Sequence, residues 1–395
     1  MEAALLNIVQ KINGYLSDYI LIILLVGAGL YFSIRTRFVQ VRCFGEGMRR
    51  VFGNINLHGG KQQGGFSSFQ ALATAIAAQV GTGNIVGACG AILIGGPGAI
   101  FWMWIIAFFG MATIYAEAVL AQETRVVNAD GSVHGGPVYY IKRAFKGGFG
   151  KFLAGFFAVA IILALGFIGS MVQSNSVADA LNHSFSIAPG ITGIVLMGLT
   201  AAVIIGGVRS IGRVTALLVP VMIALYVLGA LAVILMHITE IPGVLAMVVS
   251  SAFQPVAATG GFAGATVMMA IRLGVARGLF SNESGLGSAP IAAAAARTSQ
   301  PVVQALISMT QTFIDTLVVC SMTGLVILVT GVWTSGKNGA PLTSYAFETG
   351  LPGELGGLIV TIGIILFAYS TILGWSYYGE KAIEYLLGSK AIIPY

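Results

Sequence analysis

Charge is the scarcest commodity in this chain. Asp, Glu, Lys and Arg together make up 9% of its 395 residues, against roughly 25% in soluble globular domains. No hydrophilic block is long enough to fold as a soluble domain. Histidine and cysteine are equally thin, at four and three residues. Cys43, Cys89 and Cys320 are odd in number and far apart, and two of them sit in apolar runs, which argues against a disulfide framework or a metal site. His58, His134, His183 and His237 fall in loops or at segment ends, so no histidine-based metal or catalytic site is expected. The N-terminal "MEAALLNIVQKINGYLSDY" lacks a basic n-region, and the apolar run from about Asp18 to Phe32 therefore reads as a first span, not a cleaved signal.

What the chain has instead is hydrophobicity, 57% of residues, arranged in several runs of about 20. These properties describe an all-α polytopic membrane protein. The formal charge of +6 does not imply nucleic acid, because the basic residues gather in short segments between apolar runs without interleaved aromatics. Apolar runs and their breakers predict nine spans, near 13–34, 67–94, 98–126, 151–176, 190–207, 213–237, 272–296, 301–332 and 355–386. After the first span, Arg35, Arg37, Arg42, Arg49 and Arg50 face the single acid Glu46, a positive-inside signal that puts the N-terminus outside and the end of the ninth span in the cytoplasm. One stretch, "SSAFQPVAATGGFAGATVMMAIRLGVARG", is expected to form an outer helix up to about Met269, with the true span starting near Arg272.

Two spans are interrupted in the same way. In the first, "AAQVGTGNIVG" (Ala77 to Gly87) places Gly81, Thr82, Gly83 and Asn84 in the middle of an apolar run; the chain then turns at "GGPG" and enters a long helix containing Glu117. In the second, "ARGLF" meets "SNESGLG" (Ser281 to Gly287), resumes as "SAPIAAAAA", turns at "RTSQP" and enters a helix containing Asp315. The two breaks run in opposite directions through the membrane. Corresponding broken helices in halves of opposite orientation point to an inverted-repeat secondary transporter with its site near the midplane.

An unwound backbone is tolerated in hydrocarbon only where protein, solvent or a ligand satisfies it. At the first break, free amides around Thr82 to Asn84 and the positive end of the helix dipole suit a carboxylate. The last carbonyls of the preceding half-helix, around Ala77 to Val80, suit a cation. A buried carboxylate costs several kcal/mol even after relaxation, and one helix terminus returns up to about 2 kcal/mol. A monovalent cation about 4 Å away adds roughly 4 kcal/mol at an effective dielectric near 20, so carboxylate and cation would support each other. At the second break, Ser281 and Asn282 offer acceptors for an ammonium, and Glu283 reads as a holder of the local backbone ahead of a direct ligand. The expected ligand is a small zwitterion. Glu117 reads as a structural pairing group, whereas Asp315 stands evenly between structural and functional roles. "GTGNIVG" is no dinucleotide loop, since its spacing is G-x-G-x-x-x-G and no strand precedes it.

"GGPGAIFWMWIIAFFG" (Gly95 to Gly110), "FQALATAIAAQVGTGNIVG", "YAEAVLAQETR", "GLFSNESGLGSAPIAAAAA" and "FAYSTILGWSYYGEK" resemble motifs of the alanine or glycine:cation symporter family, within the larger group sharing the LeuT-type fold. That group is the standard example of a broken-helix site, so the architecture is carried over by resemblance. The resemblance runs from Phe66 onward. It implies a five-plus-five inverted repeat preceded by one extra N-terminal span: residues 1–65 as the first span and a basic cytoplasmic segment, 66–237 as the first repeat, 238–271 as an extracellular connection, and 272–395 as three of the five spans of the second repeat. The last two spans of that repeat are absent, which reads as truncation. It further implies that Thr82 and Gly83 hold the substrate carboxylate, that Gln173, Phe280, Ser281 and Asn282 line the pocket, and that Trp375 closes over the small side chain. Across the wider fold, sodium would take the carbonyls of Ala77 and Val80 and the hydroxyls of Ser370 and Thr371.

The function expected from these readings is sodium-coupled import of alanine or glycine across the cell membrane by alternating access, with sodium as co-transported ion, no other cofactor, and a monomer surrounded by lipid as the working unit. Proton coupling through Glu283 or Asp315 is an alternative. An ion channel is disfavoured because the breaks lack carbonyl or charged rings, and an enzyme because no nucleophile, base and orienting group converge.

Overall fold

The computed structural model describes residues 2–53, 67–127, 133–298, 300–392 and 395. His58 and the expected boundary at residues 65 and 66 lie outside them. The principal helices, in chain order, are α1 (Leu6–Arg35), α2 (Phe44–Phe52), α3 (Ser68–Gln79), α4 (Gly83–Gly95), α5 (Gly98–Thr124), α6 (Pro137–Ala144), α7 (Gly148–Phe185), α8 (Pro189–Ile204), α9 (Gly207–Met236), α10 (Ile241–Ser251), α11 (Val267–Asn282), α12 (Ala289–Ala295), α13 (Pro301–Val329), α14 (Gly339–Gly350) and α15 (Leu355–Leu387). The described strands, Val126–Val127 and Val133–His134, pair antiparallel.

Six of these helices, α1, α5, α7, α9, α13 and α15, are long and apolar enough to cross a membrane, and α3 with α4, bent by 50° at its break, makes a seventh. The expected span near 190–207 is the 16-residue α8, short against the roughly 20 residues that cross a bilayer without tilt or thinning. The one near 272–296 is interrupted as expected, at residues 283–288 between α11 and α12. The outer helix also ends sooner than expected, at Ser251. Beyond it Pro255 removes a donor, and Gly260 and Gly264 take positive φ of 54° and 88°, so residues 256–265 fold back through bridges Val256↔Ala265 and Thr259↔Phe262. Thr266 then caps α11, its hydroxyl accepting from Met269 N at 3.2 Å, which starts that helix five residues before Arg272.

Local chemistry sets the other critical start. Ser67 and Gln70 form a reciprocal capping box: Gln70 N donates to Ser67 Oγ (3.1 Å) and Ser67 N donates to Gln70 Oε1 (3.0 Å). That cap fixes α3, whose body is buried from Ala71 to Gln79. Around it the interior is built from α5, α9, α13 and α15, with α1 and much of α7 turned outward. Large aromatic rings, Tyr226, Phe347 and Phe367, fill the middle. Tyr226 also satisfies its hydroxyl against Thr323 Oγ1 at 2.7 Å, as a buried phenol requires. A second polar tie, Thr74 to Thr215 at 3.0 Å, holds α3 to α9.

Candidate functional site at the two breaks

The two breaks meet in space. Gly83 backs directly onto the end of α11: a methyl group there would lie 3.4 Å from Phe280 Cδ1 and 3.8 Å from Ser281 Cα. Gln79, the last residue of α3, donates from Nε2 to the carbonyl of Asn282, the last residue of α11, at 2.6 Å. The end of α3 thus supplies a partner for the backbone at the end of α11, as unwound backbone in a membrane demands.

On one side of the first break is an oxygen cluster. Thr371 Oγ1 lies 3.0 Å from the Ala77 carbonyl and 3.3 Å from that of Val80, and Ser370 Oγ lies 3.3 Å from Ala77 O. All four residues are fully enclosed. Each hydroxyl also reaches Phe367 O in its own helix, at 2.8 and 2.9 Å. One hydroxyl proton serves only one acceptor at a time, which leaves oxygen lone pairs of the cluster without a proton, the donor set a hard cation takes.

On the other side is a cleft of about 540 Å³ whose wall includes Thr82, Gly83, Val172, Arg277 and Phe280. Phe280 is half-exposed toward it. Gln173 Oε1 accepts from Thr82 N at 3.2 Å, so a carboxylate bound at that amide takes the place of the Gln173 oxygen. Arg277, an arginine inside an apolar run, also borders this cleft, and its place in that run is the signal the sequence carries for it.

Between cleft and cluster sits a buried hub. Asn84 accepts at Oδ1 from Gly81 N (2.9 Å) and donates from Nδ2 to Asp315 Oδ1 (2.7 Å). Asp315 Oδ2 accepts from Ser281 Oγ (2.9 Å) and Thr316 Oγ1 (2.7 Å), while Asn282 Nδ2 donates to Thr316 Oγ1 at 3.1 Å. Ser281 and Asn282 therefore turn toward α13, not into the cleft. The side chain of Asn84 thus links the first break to α13.

Two further acids secure the second break. Glu283 adopts φ 56°, and its carboxylate accepts from Ser288 Oγ (2.6 Å) and from Trp375 Nε1 (2.7 Å). Glu117 Oε2 accepts from Gly285 N at 3.3 Å. Trp375 is buried and held by Glu283, away from the residues that line the cleft. Thr82, Gly83 and Phe280 are thus brought together at the cleft with Gln173 behind them, Ala77, Val80, Ser370 and Thr371 converge in the oxygen cluster, and Ser281, Asn282 and Trp375 serve the frame.

A multi-pass helical bundle with two facing helix breaks, one buried oxygen cluster and one open cleft has the construction of a membrane transporter. The chain belongs to the sodium:alanine symporter family, whose model matches residues 2–395, and it is an amino acid:cation symporter. It is 48% identical over 394 residues to the sodium/alanine symporter AgcS of Methanococcus maripaludis, covering 98% of this chain and 85% of that protein. It is 47% identical over 392 residues to an uncharacterized transporter of Haemophilus influenzae, covering 98% and 84%. To the probable sodium/glutamine symporter GlnT of Bacillus subtilis it is 40% identical over 394 residues, covering 100% and 80%. These relatives bear transporter names, not enzyme names, in agreement with the family resemblance read from the motifs.

Proposed function

We propose that this protein imports alanine or glycine together with sodium by alternating access. The reading assigns the substrate carboxylate to the amides of Thr82 and Gly83, facing Arg277 across the cleft, and sodium to Ala77, Val80, Ser370 and Thr371. The observation that supports it best is that the carbonyls of Ala77 and Val80 and the amides of Thr82 and Gly83 sit on one seven-residue stretch, 77–83, so a cation on one side and a carboxylate on the other would share a single break. Within this proposal α3 to α9 form the first repeat of a LeuT-type fold, α11 opens the second in inverted orientation, and the N-terminus lies outside.

The test is linkage in purified protein: sodium should tighten alanine binding, and alanine should tighten sodium binding by the same factor. Alanine affinity that ignores sodium would refute the shared break. Repeating the series with glycine, both alanine enantiomers, serine and glutamine then defines the substrate. A second reading, proton coupling through Asp315, draws support from the full burial of that acid beside the first break, to which Asn84 ties it. Uptake that persists without sodium and follows pH would select it.

A further inference from the structure

On the flank of the bundle away from the cleft, α2, α3, α9 and α13 enclose a groove of about 590 Å³. Every side chain lining it is apolar. Its depth comes from small or ring-limited residues at the helix faces, Ala73, Pro220 and Ala224, between larger walls such as Phe69 and Phe313. The neighbouring outer surface of α9 is apolar too, with Leu217, Val221 and Leu228 all exposed, so the groove opens where the bundle meets hydrocarbon. Its volume falls within the range of about 300–1,000 Å³ typical of small-molecule sites, but it lacks the few placed polar groups that orient such a ligand.

Those polar groups lie at one end. A smaller recess of about 70 Å³ shares Val51, Phe69 and Leu72 with the groove and is walled by Arg50 and Ser68. Arg50 Nε is 2.6 Å from Glu46 Oε1, and Arg49 is 2.6 Å from the other oxygen of the same carboxylate. The Arg50 contact lacks hydrogen-bond geometry, since its Nε makes no hydrogen bond. One acid between two guanidinium groups leaves a net positive charge at the mouth, in a segment carrying five arginines from Arg35 to Arg50 against Glu46 alone.

From these features we infer that the groove is a binding site for an anionic phospholipid, with one acyl chain between α3, α9 and α13 and the phosphate at Arg50 and Ser68. A polar-free groove continuous with a cationic recess matches that amphiphile. The lipid would brace the site from behind. Ile76 in the groove wall adjoins Ala77 of the oxygen cluster, and Phe313 and Ile314 precede Asp315.

Photolabelling decides the matter without any transport assay. The purified protein is reconstituted into phosphatidylcholine vesicles containing a trace of either phosphatidylglycerol or phosphatidylcholine with a photoactivatable acyl chain, irradiated, and mapped by peptide. The phosphatidylglycerol probe should concentrate on residues 219–228 and 313–318, above more exposed apolar surface such as Phe152 and Phe156. Ala224→Trp should remove that labelling. Arg50→Gln, at a partly exposed position, should lower it about fivefold, to the level of the phosphatidylcholine probe, in line with the worth of one basic residue at an anionic surface. Labelling that only follows exposure overturns the site, and equal labelling by both probes in the wild type overturns the anionic headgroup. Protection from both probes, with cross-links between copies, would make the groove an interface between chains.

Discussion

Gly81→Ala is the sharpest test of the oxygen cluster, because the added methyl enters it directly. A Cβ at residue 81 would stand 2.5 Å from Thr371 Oγ1 and 3.2 Å from Gln173 Oε1. Gln173 is long and can yield slightly. Thr371 is β-branched, stiff at χ1 and tied to Phe367 O as well as to the two carbonyls, so it must leave its rotamer. If its hydroxyl is a ligand of a bound cation, the loss is that of an interaction with a charged partner, about 1.5–3 kcal/mol, or roughly ten- to a hundredfold in sodium affinity. Sodium titrations of labelled-alanine binding to the purified variant should show that rise in half-saturating sodium, with a smaller change at saturating sodium. Thr371→Ala should cause a similar loss, and adding Gly81→Ala to it should do little more, since the colliding atom is gone. Unchanged sodium dependence in Gly81→Ala, or losses that add in full, would refute the assignment of Thr371.

Asn84→Ala strips the donor from Asp315 Oδ1 and the acceptor from Gly81 N; leaving buried polar groups unpaired costs about 1–3 kcal/mol each, so a lower thermal unfolding midpoint is expected. Glu117→Ala should destabilise by a similar amount through the orphaned Gly285 amide, whereas Glu117→Gln, which keeps an oxygen acceptor, should recover most of it, as read by thermal shift. Gln173→Ala frees the Thr82 amide but removes the polar side chain behind it, and equilibrium binding should show weakened alanine affinity. Cys89→Ala, at a buried side chain that does not line the cleft, should leave alanine binding unchanged in the same assay.

Much of the architecture could be read in advance because membranes impose simple rules. Apolar runs bounded by Gly, Pro and charge located α5, α13 and α15 to within a few residues, and glycine clusters located both breaks, since nothing else in those runs explains residues that disfavour helix. The outer helix was misjudged because the stretch after Ser251 is as apolar as a helix; what ends it is a fold-back that closes on itself through backbone bridges and packs Phe262 against Trp333 at 4.9 Å. Length alone could not show that α8 would be only 16 residues.

Pairing across the bundle was beyond the reach of local pattern. The sequence by itself determined that this is a multi-pass membrane protein with two helix breaks, and that carbonyls at 77 to 80 and amides after 81 must find partners. Only the tertiary structure decided which partners: Thr371 and Ser370 for Ala77, Gln173 for Thr82, Asp315 for Asn84, and Glu117 and Glu283 for the second break. The physical reason lies in the range of the forces. Hydrophobic burial and helix propensity act on runs of neighbours and leave a periodic trace in one dimension. A buried hydrogen bond depends on where two side chains from distant segments come to rest, and that is set by the packing of the whole bundle.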